Sequence, residues 1–202
     1  MGRPSDARER LLDSAIELIW KKTYRSVSVD AICELADVRK GSFYHFFQSK
    51  AELAAAAIQN HWDRFRPEMD AIFSPTVDPL DRLRNYFDKI YNLQSAIKHE
   101  KGCVCGCPFF DLGAETAFQE PELLETVKVL LSQYFRYFES AVRDAHSLGH
   151  IQADDPAATA RFLFNFLEGS LTIARIHNDP ELLKDLAPGA MQILGVVEEK
   201  RS

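Results

Sequence analysis

Residues 28–53 read SVDAICELADVRKGSFYHFFQSKAEL, and the organisation of the chain turns on this stretch. A short helix is predicted to begin after Ser28 and run to about Ala36, and a second short one to span roughly Lys40 to Phe46. Ser49-Lys50-Ala51-Glu52 is a capping box, with Ser at the cap and Glu three residues on, so a longer helix starts there. Two short helices joined by a tight turn and followed by a strongly capped third match a helix-turn-helix. Within the second short helix, Phe43, Phe46 and Phe47 can anchor to a core. Lys40, Ser42, Tyr44 and His45 then point outward as hydrogen-bonding side chains for base edges and phosphates. Ser49 and Lys50 stand where free backbone amides and the helix dipole favour a phosphate. On pattern alone, a small helical subdomain with an aromatic core and no DNA role fits the same residues.

The flanking sequence keeps the helical period. Upstream, Leu11, Leu12, Ala15, Ile16 and Ile19 recur at three- and four-residue steps behind a cap at Ser5 or Asp6. The helix from 49 to 73 carries Ile58, Trp62, Phe65, Met69 and Ile72 on one face, with a kink or break expected near Pro67. Pro75 to Pro79 is a connector, followed by a helix with Leu80, Leu83, Phe87, Ile90 and Ile97 in register. Lys101 to Pro108 reads as a loop leading into a short helix through Phe118. Pro121 opens a long helix with Val127, Leu131, Tyr134, Phe138, Val142 and Ala145 in register, which Gly149 ends. Another helix runs from Asp155-Pro156 to Asn178, and a last helical stretch fills Pro180 to Glu199 with an interruption at Pro188-Gly189. No strand pattern or repeat survives inspection. The expected class is all-α, with a DNA-binding domain over 1–50, a second domain over 51–202, and the helix 49–73 connecting them.

The formal net charge of -6 conceals a split. Residues 1–50 hold nine Lys/Arg against seven Asp/Glu, and the remainder holds fifteen against twenty-three. A locally basic surface can bind phosphates while an acidic remainder limits non-specific DNA binding. No apolar run approaches the ~20 residues of a membrane span, and the N-terminus lacks the apolar stretch of a secretory signal. A cytoplasmic address and no membrane partner are expected.

Residues 28–53 resemble the signature of the TetR family of bacterial transcriptional regulators, Ala-Gly-Val-Ser-x-Gly-x-Phe/Leu-Tyr-x-His/Tyr-Phe-x-x-Lys-x-x-Leu. The opening Gly2-Arg3-Pro4 is also frequent there. Asp37 stands where the family has glycine at the turn, and it tolerates a left-handed conformation. Arg39 replaces the usual serine and adds a cation at the start of the recognition helix. The resemblance implies that Lys40, Ser42, Tyr44 and His45 lie on that helix, that Ser28, Tyr44 and Lys50 grip phosphates, and that Arg3 belongs to a basic arm along the duplex. It further implies a small-molecule effector, a palindromic double-stranded operator, repression as the default, and a homodimer built from the last two long helices. Residues 157–176 are apolar on more than one face, and Gly169, Ser170 and Ala174 permit close helix approach. A central helix in a monomer fits that pattern equally; operator symmetry favours the dimer.

Aromatic residues crowd the middle helices, and the effector pocket is expected among Tyr86, Phe87, Tyr91, Phe109, Phe110, Phe135, Phe138, Phe162 and Phe166. Gly106-Cys107-Pro108, Leu112 and Glu115 resemble a second family pattern, Gly-Cys-Pro-x-Gly-Asn-Leu-Ala-x-Glu, to which Cys103 and Cys105 are additions. With His99 four residues upstream, the thiols of Cys103, Cys105 and Cys107 have three readings: inert packing, thiol sensing by oxidation or alkylation, and capture of a soft metal. The spacing matches no standard zinc pattern, which ranks metal last, and no cofactor is expected. An enzyme is the rival from another class, but the chain has no Cys-x-x-Cys, phosphate-binding glycine loop, His-Glu-x-x-His or Gly-x-Ser-x-Gly. A helical adaptor is the other rival.

Overall fold

The computed structural model describes residues 4–196, so Arg3 lies outside the described residues. Among these, the chain forms nine α-helices and one 3₁₀ turn, with no strand. The helices are α1 (Pro4–Lys21), α2 (Val29–Ala36), α3 (Lys40–Phe46), α4 (Lys50–Ile72), α5 (Pro79–Lys101), α6 (Pro108–Thr116), α7 (Pro121–Ser147), α8 (Pro156–His177) and α9 (Leu186–Ile193), with the 3₁₀ turn over Pro180–Leu183. Among the described residues no helix is long and apolar enough to cross a membrane.

Two compact units emerge, and neither is one run of sequence. The first combines residues 1–66 with 107–131, and the second combines 67–106 with 132–202. Residues 107–131 thus group with the N-terminal helices, a more interleaved division than a single cut after residue 50. The chain crosses between units inside α4, at the peptide following Gly106, and inside α7.

In the first unit, local rules fix the ends of each short helix. The Ser28 hydroxyl accepts from the Ala31 amide at 3.1 Å and caps α2. Asp37 ends it in the left-handed region, φ 50° and ψ 49°, and its amide donates back to Cys33 and Glu34. The cap forms at Ser49, whose Oγ accepts from the Glu52 amide at 3.0 Å, while Glu52 Oε2 reaches one residue past the cap and accepts from the Gln48 amide at 2.7 Å. Around these ends Leu11, Leu12, Ala15, Ile32, Ala36, Phe43, Phe47 and Leu53 close one core, which also takes up Cys33.

The turn between α1 and α2 is tied from two directions. Lys50 Nζ donates to the carbonyls of Tyr24 at 2.9 Å and Val27 at 3.0 Å, and it sits 4.1 Å from the centre of the Tyr24 ring. From the other side, the Tyr24 hydroxyl donates to Glu120 Oε1 at 3.0 Å, and the Arg25 amide donates to Glu115 Oε2 at 3.3 Å. Burial raises the Tyr24 phenol, reinforced by Glu120, while burial lowers the Lys50 ammonium against the opposing pull of Glu120 and Glu115. Deeper in the unit, His61 packs among Trp20, Phe65 and Phe109, with ring centroids 5.7, 6.3 and 5.7 Å away.

The second unit is a helical layer around an aromatic centre. Leu83, Tyr86, Phe87 and Ile90 of α5 and Phe138, Ala141, Val142 and Ala145 of α7 are all buried, with the Tyr86 and Phe87 rings against Phe138. Leu163, Leu167, Leu171 and Ala174 of α8 supply its apolar wall. Arg82, 3% exposed, pairs with Asp144 at 2.6 Å and donates to the Val77 carbonyl at 2.8 Å, so the buried guanidinium is compensated twice. Two expectations change. Of the kink or break expected near Pro67, the break is absent: α4 continues through Pro67 to Ile72 as one helix, although the compact units part at that proline. The last stretch is not one helix interrupted at Pro188-Gly189. It is a 3₁₀ turn followed by α9, with the break at Lys184-Asp185. Pro188 occupies the third helical position, where its missing N–H costs no intrahelical bond.

Two measurements check this account of the first unit. Burial, with the nearby Arg64 charge, pushes the His61 imidazole from its ordinary 6.5 down to about 4. Between those values the unfolded chain takes up a proton that the folded chain refuses, so stability falls as pH drops through that window. Relative to His61→Phe, the wild type is expected to lose up to about 3 kcal/mol between neutral pH and pH ~4 in urea unfolding. A pH-independent difference would show that His61 carries its proton in the fold. Lys50→Met leaves the Tyr24 and Val27 carbonyls without their charged donor and is expected to cost about 2 kcal/mol. An unchanged urea midpoint would remove the tie from the account of stability.

Candidate nucleic-acid interface

Helix α3 has seven residues and two unlike faces. Phe43 is fully buried and Phe47, just past the helix end, nearly so, which pins one side to the core. On the other side Lys40, Gly41, Ser42, Tyr44 and His45 are exposed, and the Tyr44 ring lies 56% open with its edge on Phe43 at 5.0 Å. That ring contact supports the exposed tyrosine on a short helix. Arg39 precedes the helix in an extended conformation, exposed, and its side chain does not cap it. The structure therefore brings Arg39, Lys40, Ser42, Tyr44 and His45 to one open stretch.

The remaining expected contacts are placed differently. Lys40 Nζ pairs with Asp30 Oδ1 at 2.7 Å on the open surface, where the bond exchanges readily with solvent or another anion. Ser28 uses its oxygen as an acceptor in the α2 cap, which leaves its O–H as the group to offer outward. Lys50 is corrected more deeply. Its ammonium, expected to grip a phosphate, turns inward onto two carbonyls and an aromatic face because the turn at Tyr24–Val27 offers unsatisfied acceptors.

Sequence reasoning passed over Gly41 as a site residue. A Cβ built there meets nothing within 4 Å, so nothing inside the protein requires glycine. A helical glycine costs roughly 0.5–1 kcal/mol relative to alanine. Tyr24, Glu115 and Glu120 were also passed over as coupling residues; Glu115 was visible within the Gly-Cys-Pro pattern, while Tyr24 left no signal at all.

The nine aromatic residues expected to line a pocket stand in different environments within their own units. Tyr86, Phe87 and Phe138 are fully buried and packed ring to ring, with centroid separations of 5.6 to 6.2 Å. Phe135 and Phe138 contact Phe164 at 5.7 and 5.4 Å, and Tyr91 donates to Glu181 at 2.9 Å. Phe109 belongs to the first unit against Trp62, and Phe110 is 40% exposed. Phe162 is 65% exposed. Phe166 lines an open groove of about 400 Å³ with Asn165, Gly169, Ser170, Ile173 and Leu182. Periodicity identified these aromatics as inward or outward only within their own helices, which is why one list mixed core with surface. Inside the aromatic centre the hydroxyls of Tyr86 and Tyr134 hydrogen-bond each other.

The cysteine segment is a loop held by two amide side chains. Gln94, 1% exposed, accepts from the amides of Cys105 at 3.0 Å and Gly106 at 3.2 Å and donates to the Gly106 carbonyl at 3.1 Å. Asn178 accepts from the Val104 amide at 2.9 Å and donates to the Gly102 carbonyl at 3.3 Å. None of the four cysteines is in a disulfide, and Cys103 Sγ lies 3.7 Å from Cys105 Sγ. Burial, then the Cys103 thiol, pushes Cys105 up to about 11. His99 is exposed on α5, and no three His, Cys, Asp or Glu groups come together as metal donors among the described residues. The set His99, Cys103, Cys105 and Cys107 is thus not brought together as a ligand shell among the described residues.

Similarity to known proteins agrees with this geometry. The family model for bacterial regulatory proteins of the tetR family matches residues 11–57, and that for tetracyclin repressor-like C-terminal domains matches residues 79–188. The transcriptional regulator AcuR of Cereibacter sphaeroides is 30% identical over 190 residues, covering 90% of this chain and 85% of that protein. The transcriptional repressor DhaR of a Mycobacterium species is 26% identical over 178 residues, covering 87% and 86%. The crystal structure of a TetR regulatory protein from Rhodobacter sphaeroides aligns with a TM-score of 0.81 at 28% identity, over 93% of this chain and 98% of that one. With the helix-turn-helix at residues 29–46 and these matches across both halves, the chain belongs to the TetR family of transcriptional regulators.

Proposed function

We propose that this regulator is a cytoplasmic repressor that binds a palindromic operator as a homodimer and leaves it when a small effector binds the second unit. The observation that carries the reading is the outer face of α3, where four side chains able to hydrogen-bond flank a glycine that nothing inside the protein explains. In the proposed complex α3 enters the major groove, His45 meets a base edge, and Arg39, Lys40, Tyr44 and Ser28 meet phosphates with Arg3 along the duplex. The Lys50 side chain holds the turn while its helix N-terminus faces a phosphate. Gly41 brings the backbone close to the DNA.

The dimer reading rests on α8. Phe162, Phe166, Gly169, Ile173 and Ile176 follow one another at four- and three-residue steps, and Phe162, Ile173 and Ile176 are 65%, 49% and 70% exposed. Ile193 of α9 adds a further exposed side chain, at 42%. An apolar stripe with a glycine at its centre suits close packing against a second copy. For the effector, the Tyr86–Tyr134 hydroxyl pair offers a polar contact inside an aromatic surround that a small ligand's own polar group would replace. No cofactor takes part. Thiol sensing at Cys103 and Cys105 is the second reading, favoured by the contact between their sulfurs.

The decisive measurement is retardation of DNA selected by the protein from a random pool, with and without excess competitor. Gly41→Ala is expected to raise stability by roughly 0.5–1 kcal/mol while weakening operator binding by tenfold or more. A variant both stabler and equally tight would take α3 out of the DNA contact. Ile173→Glu is expected to sediment as a monomer at micromolar concentration while the wild type sediments as a dimer. A monomeric wild type would overturn the assembly.

A further inference from the structure

We propose that Cys103 and Cys105 form a dithiol oxidation site, closed to a disulfide by a hydroperoxide, and that closure frees the loop 102–106 and lowers operator affinity. The regulatory half of this proposal rests on the reading of the chain as an operator-binding protein. The chemical half rests on the loop alone.

The two sulfurs are already in contact at 3.7 Å, on residues separated only by Val104. Cys103 is half-buried and Cys105 is buried, so Cys103 meets the oxidant first. Its thiolate attacks one peroxide oxygen, the O–O bond breaks, and the departing oxygen takes up a proton as water. Cys103 then carries a sulfenic acid. Cys105 Sγ attacks that sulfur, the S–S bond forms, the S–OH bond breaks, and hydroxide leaves as water with the Cys105 proton. Two thiols and one hydrogen peroxide thus yield one disulfide and two waters. Burial keeps the Cys105 thiol protonated until this second step.

A disulfide sets its sulfurs about 2.05 Å apart, so they must close by roughly 1.6 Å. A disulfide also confines the Cα and Cβ separations and its own dihedral, and with one residue between the cysteines those limits fall on the backbone of 103–105. That backbone is the part gripped by Gln94 and Asn178 through the amides of Val104, Cys105 and Gly106. Glycines in the left-handed region bound the segment, Gly102 at φ 76° and Gly106 at φ 74°, so the loop has a pivot at each end. Gly106 is joined directly to Cys107, whose carbonyl accepts from Asp111 in the first turn of α6. Helix α6 also carries Glu115, which accepts from the Arg25 amide ahead of α2. Rearrangement of the loop therefore pulls on the helix that ties down the DNA-binding turn.

The test uses full-length protein with Cys33→Ser and Cys107→Ser, which leaves the two thiols in question, beside the wild type. After treatment with hydrogen peroxide, the tryptic peptide 102–128 is expected to lose two hydrogens, resist alkylation, and recover both thiols with dithiothreitol. Amide exchange at 104–106 is expected to accelerate. Affinity for the selected operator DNA is expected to fall roughly tenfold and return on reduction, within the usual range of coupling between sites. Cys103→Ser and Cys105→Ala should each abolish the response while the untreated variants bind DNA as before. Oxidation that ends as sulfinic acid on Cys103, or amide exchange that is unchanged by a formed disulfide, overturns the site. A disulfide that forms with no change in operator affinity overturns its regulatory role and leaves the regulator reading standing. If the reduced protein selects no DNA, that reading fails instead, and the mass and exchange measurements still decide the dithiol.

Discussion

One ammonium group holds the turn that leads into the helix-turn-helix. Lys50 opens α4, yet its side chain reaches back over twenty residues to the carbonyls of Tyr24 and Val27. Those carbonyls belong to the turn that aims α2, and α2 in turn supports α3. Because the ammonium is partly buried, its two bonds are charge-assisted and shielded from salt, unlike the exposed Lys40–Asp30 pair nearby. Glu115 and Glu120 meet the same turn from α6 and the segment before α7. The turn is thus the point where helix orientation and the state of α6 meet within one compact unit.

The short helices were legible because their signals are local. Ser28, Asp37 and the Ser49–Glu52 box act within four residues, and each does in the structure what its chemistry requires. Helix periodicity likewise gave the long helices to within a few residues. The role of Lys50 was not legible, because a lysine that follows a cap looks the same whether its ammonium faces solvent or a carbonyl twenty-three or twenty-six residues away. The expected pocket list mixes core with surface for a related reason. A helical period says which residues share a face, but Phe162 and Phe138 sit on comparable faces of their helices and end with opposite exposures. Only the packing of the neighbours decides that.

The two units manage buried polarity differently. The first satisfies its carbonyls with a cation and its carboxylates with a phenol and an amide. The second buries an arginine with an aspartate, and grips a loop with two carboxamides. A carboxamide is suited to that task because it donates and accepts at once, and Gln94 uses both functions on adjacent peptide groups. A glutamate of the same shape would accept from the two amides but could not donate to the Gly106 carbonyl.

The interleaving of the units has a consequence for synthesis. The DNA-binding helices leave the ribosome first, but Tyr24 is bonded to a residue ninety-six positions later and Arg25 to one ninety positions later. Trp62 and His61 likewise wait for Phe109. The first unit therefore cannot finish folding until nearly two-thirds of the chain has emerged, by which time the start of the second unit has also been made. Loop closure over such separations is slow relative to forming a local helix. A nascent chain will hold the turn before α2 in place only after the segment carrying Glu115 and Glu120 has arrived, so the helix-turn-helix and that segment mature together.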